Sequence, residues 1–125
     1  MPIRVLIVDD SALVRQILTR ALSTDPGIEV VGSAADPYIA REKILALSPD
    51  VLTLDVEMPR MDGYEFARHV RSDAGLTRVP IIMVTSRVSE KHRARAIEIG
   101  VNDYLGKPYQ ERELLEAVHQ QLAAR

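Results

Sequence analysis

The sequence has no cysteine and no tryptophan, and phenylalanine occurs only once in its 125 residues. Without cysteine, disulfide bonds, thiolate catalysis and cysteine-ligated zinc are excluded. Hydrophobic residues still make up 46% of the chain. The shortage of aromatic side chains therefore predicts a core built from valine, isoleucine, leucine and alanine.

Long hydrophobic runs and a strong excess of one charge are also missing. No stretch approaches the roughly 20 apolar residues that a membrane-spanning helix needs, and the short apolar run at the amino terminus lacks the features of a secretory signal. The formal net charge is −2, which gives no general attraction to nucleic acid or anionic lipid. We therefore expect a cytoplasmic protein that binds neither membranes nor nucleic acid.

Short apolar runs alternate along the chain with longer stretches of helical periodicity. The apolar runs predict five strands, at 3–8, 29–34, 51–54, 80–84 and 103–105. The periodic stretches predict helices after Ser11 and at 37–47, 64–72, 89–99 and 110–122. This alternation predicts a single α/β domain over residues 1–125, with a parallel sheet covered by helices on both faces. The pattern leaves the order of the strands open.

Polar residues with a joint chemical logic stand where the predicted strands end. They are Asp9, Asp10, Asp55, Thr85 and Lys107. Taken singly, each has an ordinary explanation, since aspartate is a common turn and cap residue and lysine is common on surfaces. In parallel α/β sheets, however, the carboxyl ends of the strands meet at one edge and hold the ligands. We therefore expect these five side chains to form one site.

Three clustered carboxylates repel one another unless one is protonated or a cation is bound. An all-oxygen set of ligands suits a hard cation, and Mg²⁺ typically takes one or two carboxylates and bridges to a phosphate oxygen. A carboxylate beside such an ion can attack phosphorus and form an aspartyl phosphate. A lysine and a hydroxyl would then neutralise and hold the transferring oxygens.

The segments VLIVDDSALVRQIL, DVLTLDVEMPRMDGYEF, PIIMVTS and GVNDYLGKP resemble the response-regulator receiver family of two-component signalling. The resemblance extends over essentially the whole chain, and the key positions agree in both identity and order. It implies a flavodoxin-like doubly wound (βα)5 three-layer sandwich with the strand order 2-1-3-4-5. It also implies a function, in which a sensor kinase's phosphohistidine donates a phosphoryl group to the domain.

The resemblance assigns a role to each residue of the predicted site. It implies that Asp55 is the phosphoacceptor. Asp10, Asp55 and the backbone carbonyl of Glu57 would bind Mg²⁺ directly, and Asp9 would help through water. Thr85 and Lys107 would contact the phosphoryl oxygens.

The resemblance also assigns the surroundings of the site. Ser86 matches the small residue that leaves the phosphoryl group room, and Lys107-Pro108 matches a cis peptide of the family. Tyr104 matches the switch aromatic, although a tyrosine in a strand is ordinary in itself. Phosphorylation would switch a partner-binding surface on the fourth helix, fifth strand and fifth helix. The chain would then be a switch that assists its own phosphorylation and dephosphorylation, and not an enzyme in the usual sense.

Glu57 and Arg87 are expected to flank the mouth of the site. Glu57 follows Asp55 by two positions, and Arg87 follows Thr85 by two. In this fold the two loops border one opening, so we expect the two side chains to face each other and to form an ion pair.

The two halves of the chain differ in their resemblance. Residues 1 to about 63 are similar to receivers of chemotaxis methylesterases, and the remainder is similar to receivers of chemotaxis-type hybrid kinases. We therefore expect a mosaic of two receivers joined near Gly63.

Other titratable residues give weaker signals. His69, His92 and His119 fall at helix positions that are expected to face solvent, without the spacing of metal ligands. Four basic residues between 87 and 95 are interspersed with glutamate, which favours a solvated helix or a partner-docking face over a nucleic-acid patch.

Three alternative functions stay open. A Mg²⁺-dependent phosphohydrolase also uses an aspartyl nucleophile and needs a second acid two residues later, where Glu57 stands, but the chain is short for its cap region. A flavin-binding electron carrier shares the fold, but Asp9 and Asp10 would repel its phosphate. A degenerate receiver would only bind partners, but here every key residue is present.

Overall fold

A computed structural model describes residues 2–58, 61–73, 75–76, 78–87 and 89–123. Strands and helices alternate throughout: β1 (Ile3–Val8), α1 (Ala12–Ser23), β2 (Ile28–Ala34), α2 (Pro37–Leu47), β3 (Val51–Leu54), α3 (Gly63–Ser72), β4 (Ile81–Thr85), α4 (Glu90–Ile99), β5 (Asp103–Gly106) and α5 (Glu111–Ala123). No helix in this described part of the chain is long and apolar enough to cross a membrane.

The five strands form one parallel sheet in the order β2-β1-β3-β4-β5. The predicted α/β fold and the strand order that the resemblance implied are confirmed. The predicted boundaries differ by about one residue. The fourth strand begins at Ile81 instead of Pro80, because proline has no N–H to donate to the ladder. It extends to Thr85, which pairs with Gly106 of β5.

Two separate aliphatic cores lie on the two faces of the sheet. Helices α1 and α5 cover one face, where Leu18, Leu22, Leu114 and Val118 are buried. Helices α2, α3 and α4 cover the other face, which also holds the single phenylalanine, Phe66. The sheet is therefore the middle layer of three, and its strands are apolar because both of their faces are buried.

Side chains at the helix starts satisfy backbone N–H groups that have no partner within the helix. Ser11 accepts from the N–H of Val14, and Asp36 accepts from those of Tyr38 and Ile39. Asp62 and Ser89 cap α3 and α4 in the same way. Helix α4 ends at Ile99 and is capped by Gly100, whose φ of 112° is left-handed backbone that favours glycine. The four side-chain caps at the helix starts lie on the side of the sheet edge that carries the polar residues.

Candidate functional site

The carboxyl ends of four adjacent strands bring the predicted site residues together. Asp9 directly follows β1, Asp55 follows β3, Thr85 ends β4, and Lys107 follows β5. Neighbouring strands are parallel and in register, so these residues emerge at the same edge. The geometry therefore brings these predicted site residues to one edge of the sheet.

Three carboxylates form the centre of this edge. Asp9, Asp10 and Asp55 each offer an oxygen atom, and the three atoms lie within 4.8 Å of one another. Asp9 is 2% exposed and Asp55 is 9% exposed, whereas Asp10 faces solvent. Two of the three negative charges are therefore held away from water, where their repulsion is screened less.

Lys107 supplies the positive charge nearest to these carboxylates. Its Nζ lies 3.0 Å from Asp9 Oδ2 and 3.7 Å from Asp55 Oδ2. Its backbone N–H donates to the carbonyl of Thr85 at 2.8 Å, which ties the end of β5 to the end of β4. The peptide bond from Lys107 to Pro108 is cis, as the resemblance implied.

Asp9 is oriented by the turn that leads into α1. One of its carboxylate oxygens accepts from the N–H of Ser11 at 2.9 Å, and its backbone carbonyl accepts from Arg15 Nη1 at 2.8 Å. The ordinary role of aspartate in turns and its place in the cluster are therefore both present. The turn leaves the second oxygen of Asp9 free to contact Lys107.

The surroundings of Asp55 disfavour its ionised form. Burial raises the pKa of the Asp55 carboxyl above its ordinary value; the charge of Lys107 opposes this rise and that of Asp9 adds to it. The N–H of Val56 donates to Asp55 Oδ1 at 2.8 Å. A cation bound among the three carboxylates would offset the remaining excess of negative charge.

Gly63 packs against the backbone of the site, a role that no sequence pattern indicated. A Cβ at this position would lie 2.2 Å from the backbone oxygen of Asp55, which is too close for any side chain. The N–H of Gly63 donates to the carbonyl of Val56 at 2.7 Å. The start of α3 can therefore pack directly against the backbone that carries Asp55.

Glu57 and Arg87 form an ion pair at the mouth of the site. Arg87 Nε lies 2.7 Å from Glu57 Oε1, and both side chains are about half exposed. The N–H of Arg87 donates to Thr85 Oγ1 at 3.2 Å, and Ser86 between them is exposed. The expected contact between the two loops is present. The pair borders a cavity of about 620 Å³ that also includes Asp10, Asp62, Tyr64 and Arg95.

Tyr104 is buried beneath the same loop. Its hydroxyl donates to the backbone carbonyl of Arg87, and 5% of the residue is exposed. Burial, followed by the neighbouring Tyr64, raises its pKa well above the ordinary tyrosine value. The expected switch aromatic is thus joined to the loop that follows Thr85.

The histidines differ in how far they match the expected exposure, since His69 and His119 are exposed and His92 is partly buried. His92 Nδ1 lies 3.1 Å from the Tyr64 hydroxyl, and His119 Nε2 lies 2.7 Å from Asp25 Oδ2. Both contacts join different elements of the fold. The periodicity of one helix cannot reveal them, because they depend on which element packs beside it.

Comparison with known proteins identifies relatives of the whole arrangement. A family model described as the response regulator receiver domain matches residues 5–119. The chain is 55% identical over 109 residues to a protein-glutamate methylesterase/protein-glutamine glutaminase of Xanthomonas campestris pv. campestris, and 54% identical over 108 residues to one of Syntrophotalea carbinolica. These matches cover 86% and 85% of the chain but 30% of each relative.

A solved structure shows the same fold. The chain superposes on the response regulator domain of Thermotoga maritima CheB with a TM-score of 0.88 and 35% identity, covering 98% of both chains. A match of 109 residues in a chain of 125 necessarily crosses Gly63. The resemblance of the first half to methylesterase receivers is confirmed. The separate resemblance of the second half to hybrid-kinase receivers is not supported.

The raised pKa of Asp55 predicts that its charge destabilises the protein without a metal ion. Ionisation is less favourable in the folded protein than in the unfolded chain, so stability falls as the pH rises through the folded pKa of Asp55. The cost is present at pH values above that folded pKa. We expect Asp55→Asn, in EDTA at neutral pH, to raise the free energy of unfolding in urea by an amount on the order of 1 kcal/mol.

The matched control is Asp36→Asn, which keeps a good helix cap and should leave the urea midpoint unchanged. The gain of Asp55→Asn should shrink at acidic pH, where the wild-type carboxyl is protonated. A destabilised Asp55→Asn protein at neutral pH would show that the cluster is not under charge strain.

Proposed function

The chain belongs to the response-regulator receiver family, and from this membership we propose that residues 1–125 form one phosphoacceptor switch modified on Asp55. The observation that carries this proposal is the meeting of Asp55 with two further carboxylates, Lys107 and Thr85 at one sheet edge. A carboxylate there can serve as a nucleophile toward phosphorus. As its oxygen–phosphorus bond forms, the nitrogen–phosphorus bond of a donor phosphohistidine breaks.

The residues present fit a Mg²⁺ ion. The three carboxylate oxygens within 4.8 Å are hard ligands. A bound cation would offset the effects of burial and of the Asp9 charge, which raise the pKa of Asp55. Asp10, Asp55 and the backbone carbonyl of Glu57 would hold the ion, with Asp9 contributing through water. When bound, Mg²⁺ supplies positive charge beside the transferring phosphoryl oxygens.

Lys107 and Thr85 would stabilise the phosphoryl group itself. The ammonium of Lys107 already lies 3.7 Å from an oxygen of Asp55, so it faces a group attached there. Thr85 is fully buried, and its hydroxyl contacts the N–H of Arg87. A bond from this hydroxyl to a phosphoryl oxygen would therefore pull on the loop that ends at α4. Such fixed groups stabilise charge without reorganisation.

The proposal also includes a phosphoryl donor and a downstream protein. The donor is a histidine kinase, and because such kinases draw on ATP the exchange takes place in the cytoplasm. The downstream protein binds the face made by α4, β5 and α5. Tyr104 supports this choice, since it lies in β5 and bonds the loop before α4. We propose no nucleic-acid or membrane partner.

The last part of the proposal is the effector, and it draws on the longer relatives of the chain. The chain spans about 30% of the length of the methylesterase/glutaminase relatives it matches, and their named activity belongs to those proteins. We propose that a catalytic unit of that kind is the effector that this receiver controls. The mosaic with a junction near Gly63 stays a prediction, and a single relative with equal identity on both sides of Gly63 would make it unnecessary.

The phosphoacceptor can be tested directly with a small phosphodonor. On incubation with acetyl phosphate and Mg²⁺, we expect the intact mass to rise by one phosphoryl group. Asp55→Ala and the wild type in EDTA should stay unmodified, because the nucleophile or the cation is missing. Modification that persists in Asp55→Ala, or that proceeds at full rate in EDTA, would contradict the proposal.

The ion pair at the mouth should act on the lifetime of the phosphoryl group. Because Glu57 and Arg87 contact each other beside Asp55, we expect Glu57→Ala and Arg87→Ala to change the rate of acyl-phosphate loss non-additively. The unfolding midpoints should stay near native, since exposed pairs contribute little to stability.

A second exposed pair, Arg41 with Asp73, provides the control because its residues lie away from the carboxylates. Arg41→Ala should leave the rate of phosphoryl loss unchanged. Additive effects of Glu57→Ala and Arg87→Ala would show that the two residues act independently and that the pair does not cover the site.

A further inference from the structure

The backbone carbonyl of Asp9 is held by a side chain of α1. Arg15 Nη1 donates to this oxygen at 2.8 Å, in a partly buried hydrogen bond. Arg15 lies in the first turn of α1, and helical side chains lean back toward the start of their helix, so its guanidinium reaches the turn that precedes α1. Because the donor is charged, this hydrogen bond is stronger than one between neutral groups.

Each polar group of Asp9 has its own partner, and the partners come from different parts of the fold. The N–H donates to the carbonyl of Ala34 at 3.1 Å, and the carboxylate oxygens accept from the N–H of Ser11 and from Lys107 Nζ. The carbonyl is the remaining group, and Arg15 binds it. Replacement of Arg15 would therefore release this carbonyl and leave the other partners of Asp9 present.

The carbonyl of Asp9 matters because it shares a planar peptide unit with the N–H of Asp10. Rotation of that unit changes the direction in which Asp10 leaves the end of β1. Asp10 is exposed, so the place of its carboxylate in the cluster follows mainly from the backbone that carries it. The spacing of the three carboxylate oxygens, within 4.8 Å of one another, therefore depends on the direction of this peptide unit.

We propose that Arg15 is a positioning residue for the cation site, because its guanidinium fixes the peptide unit between Asp9 and Asp10 and thereby the carboxylate of Asp10. The inference rests on the proposed function and deepens it, since it adds a residue of α1 to the site that would hold Mg²⁺. Arg15 touches no reacting atom and is not a ligand of the cation. It acts by keeping the carboxylate ligands at the spacing that a cation needs.

The two basic residues that contact Asp9 have opposite expected effects on the cation. Lys107 contacts carboxylate oxygens, so its charge competes with a cation for them. Arg15 contacts a backbone carbonyl, so its removal takes away a support of the site as well as a charge. If only the charge of Arg15 mattered, its removal would strengthen cation binding. If Arg15 positions Asp10, its removal weakens cation binding.

Calorimetric titration of the full chain with Mg²⁺ measures the direction of this change. Arg15→Met keeps a long side chain of high helix propensity and removes both the hydrogen bond and the charge. We expect it to bind Mg²⁺ roughly ten-fold more weakly, as is typical when a group that orients a metal ligand is lost. Arg15→Lys keeps a charged donor and should recover most of the affinity. Arg20→Met, at an exposed position of the same helix, removes an equal charge and should bind no more weakly than the wild type.

Two further readouts separate positioning from a general loss of structure. In EDTA, the backbone amide signal of Asp10 in heteronuclear NMR spectra should shift in Arg15→Met and stay near its wild-type position in Arg20→Met, while the signals of β4 stay unchanged in both. With acetyl phosphate, the Mg²⁺ concentration that gives half-maximal modification should rise in Arg15→Met. The rate at saturating Mg²⁺ should approach that of the wild type, because Arg15 touches no reacting atom.

The outcomes separate this inference from the proposed function. Equal or tighter Mg²⁺ binding by Arg15→Met, or an unchanged Asp10 amide signal in EDTA, overturns the inference alone. A wild-type protein that binds Mg²⁺ but takes no phosphoryl group contradicts the proposed function, and the difference in Mg²⁺ affinity still decides whether Arg15 positions the site. A wild-type protein that binds no Mg²⁺ overturns both.

Discussion

The contact of the Lys107 ammonium with Asp9 and Asp55 is the interaction on which the site depends. Three carboxylate oxygens within 4.8 Å repel one another, and a single lysine cannot neutralise them. The site therefore carries an excess of negative charge. A divalent cation would offset this excess, and a phosphoryl group would change how the charges are distributed. In the proposed function, this imbalance is what allows a phosphoryl group on Asp55 to shift the structure around it.

The fold creates this constraint through the parallel sheet. Four of the five strands end at a polar residue of the site at the same edge, and the cores on both faces fix the strands in place. Gly63 allows the start of α3 to pack directly against the backbone of Asp55. Tyr64 follows it and carries the position of α3 to α4 through His92. The edge of the sheet that carries the charges is thus connected to α3 and α4 by direct contacts of Gly63 and Tyr64.

The sequence predicted the fold and the residues at the strand ends because both follow from local patterns. Apolar runs identify buried strands, and the parallel connection requires their polar ends to meet. The pair of Glu57 with Arg87 was predictable for the same reason, since each follows a strand end by two residues. The contact of Tyr64 with His92 was missed because it depends on the angle between α3 and α4, which periodicity does not encode. The crowding at Gly63 was hidden likewise.

The binding of Mg²⁺ to a Lys107 variant tests the central claim most directly. If the lysine ammonium partly neutralises the carboxylates that would bind the cation, its removal should strengthen binding. Lys107→Met should then bind Mg²⁺ several-fold more tightly in calorimetric titrations. Lys91→Met, at an exposed position of α4, should bind like the wild type. Equal or weaker binding by Lys107→Met would contradict the account, because it would show that the charge of the lysine does not compete with the cation.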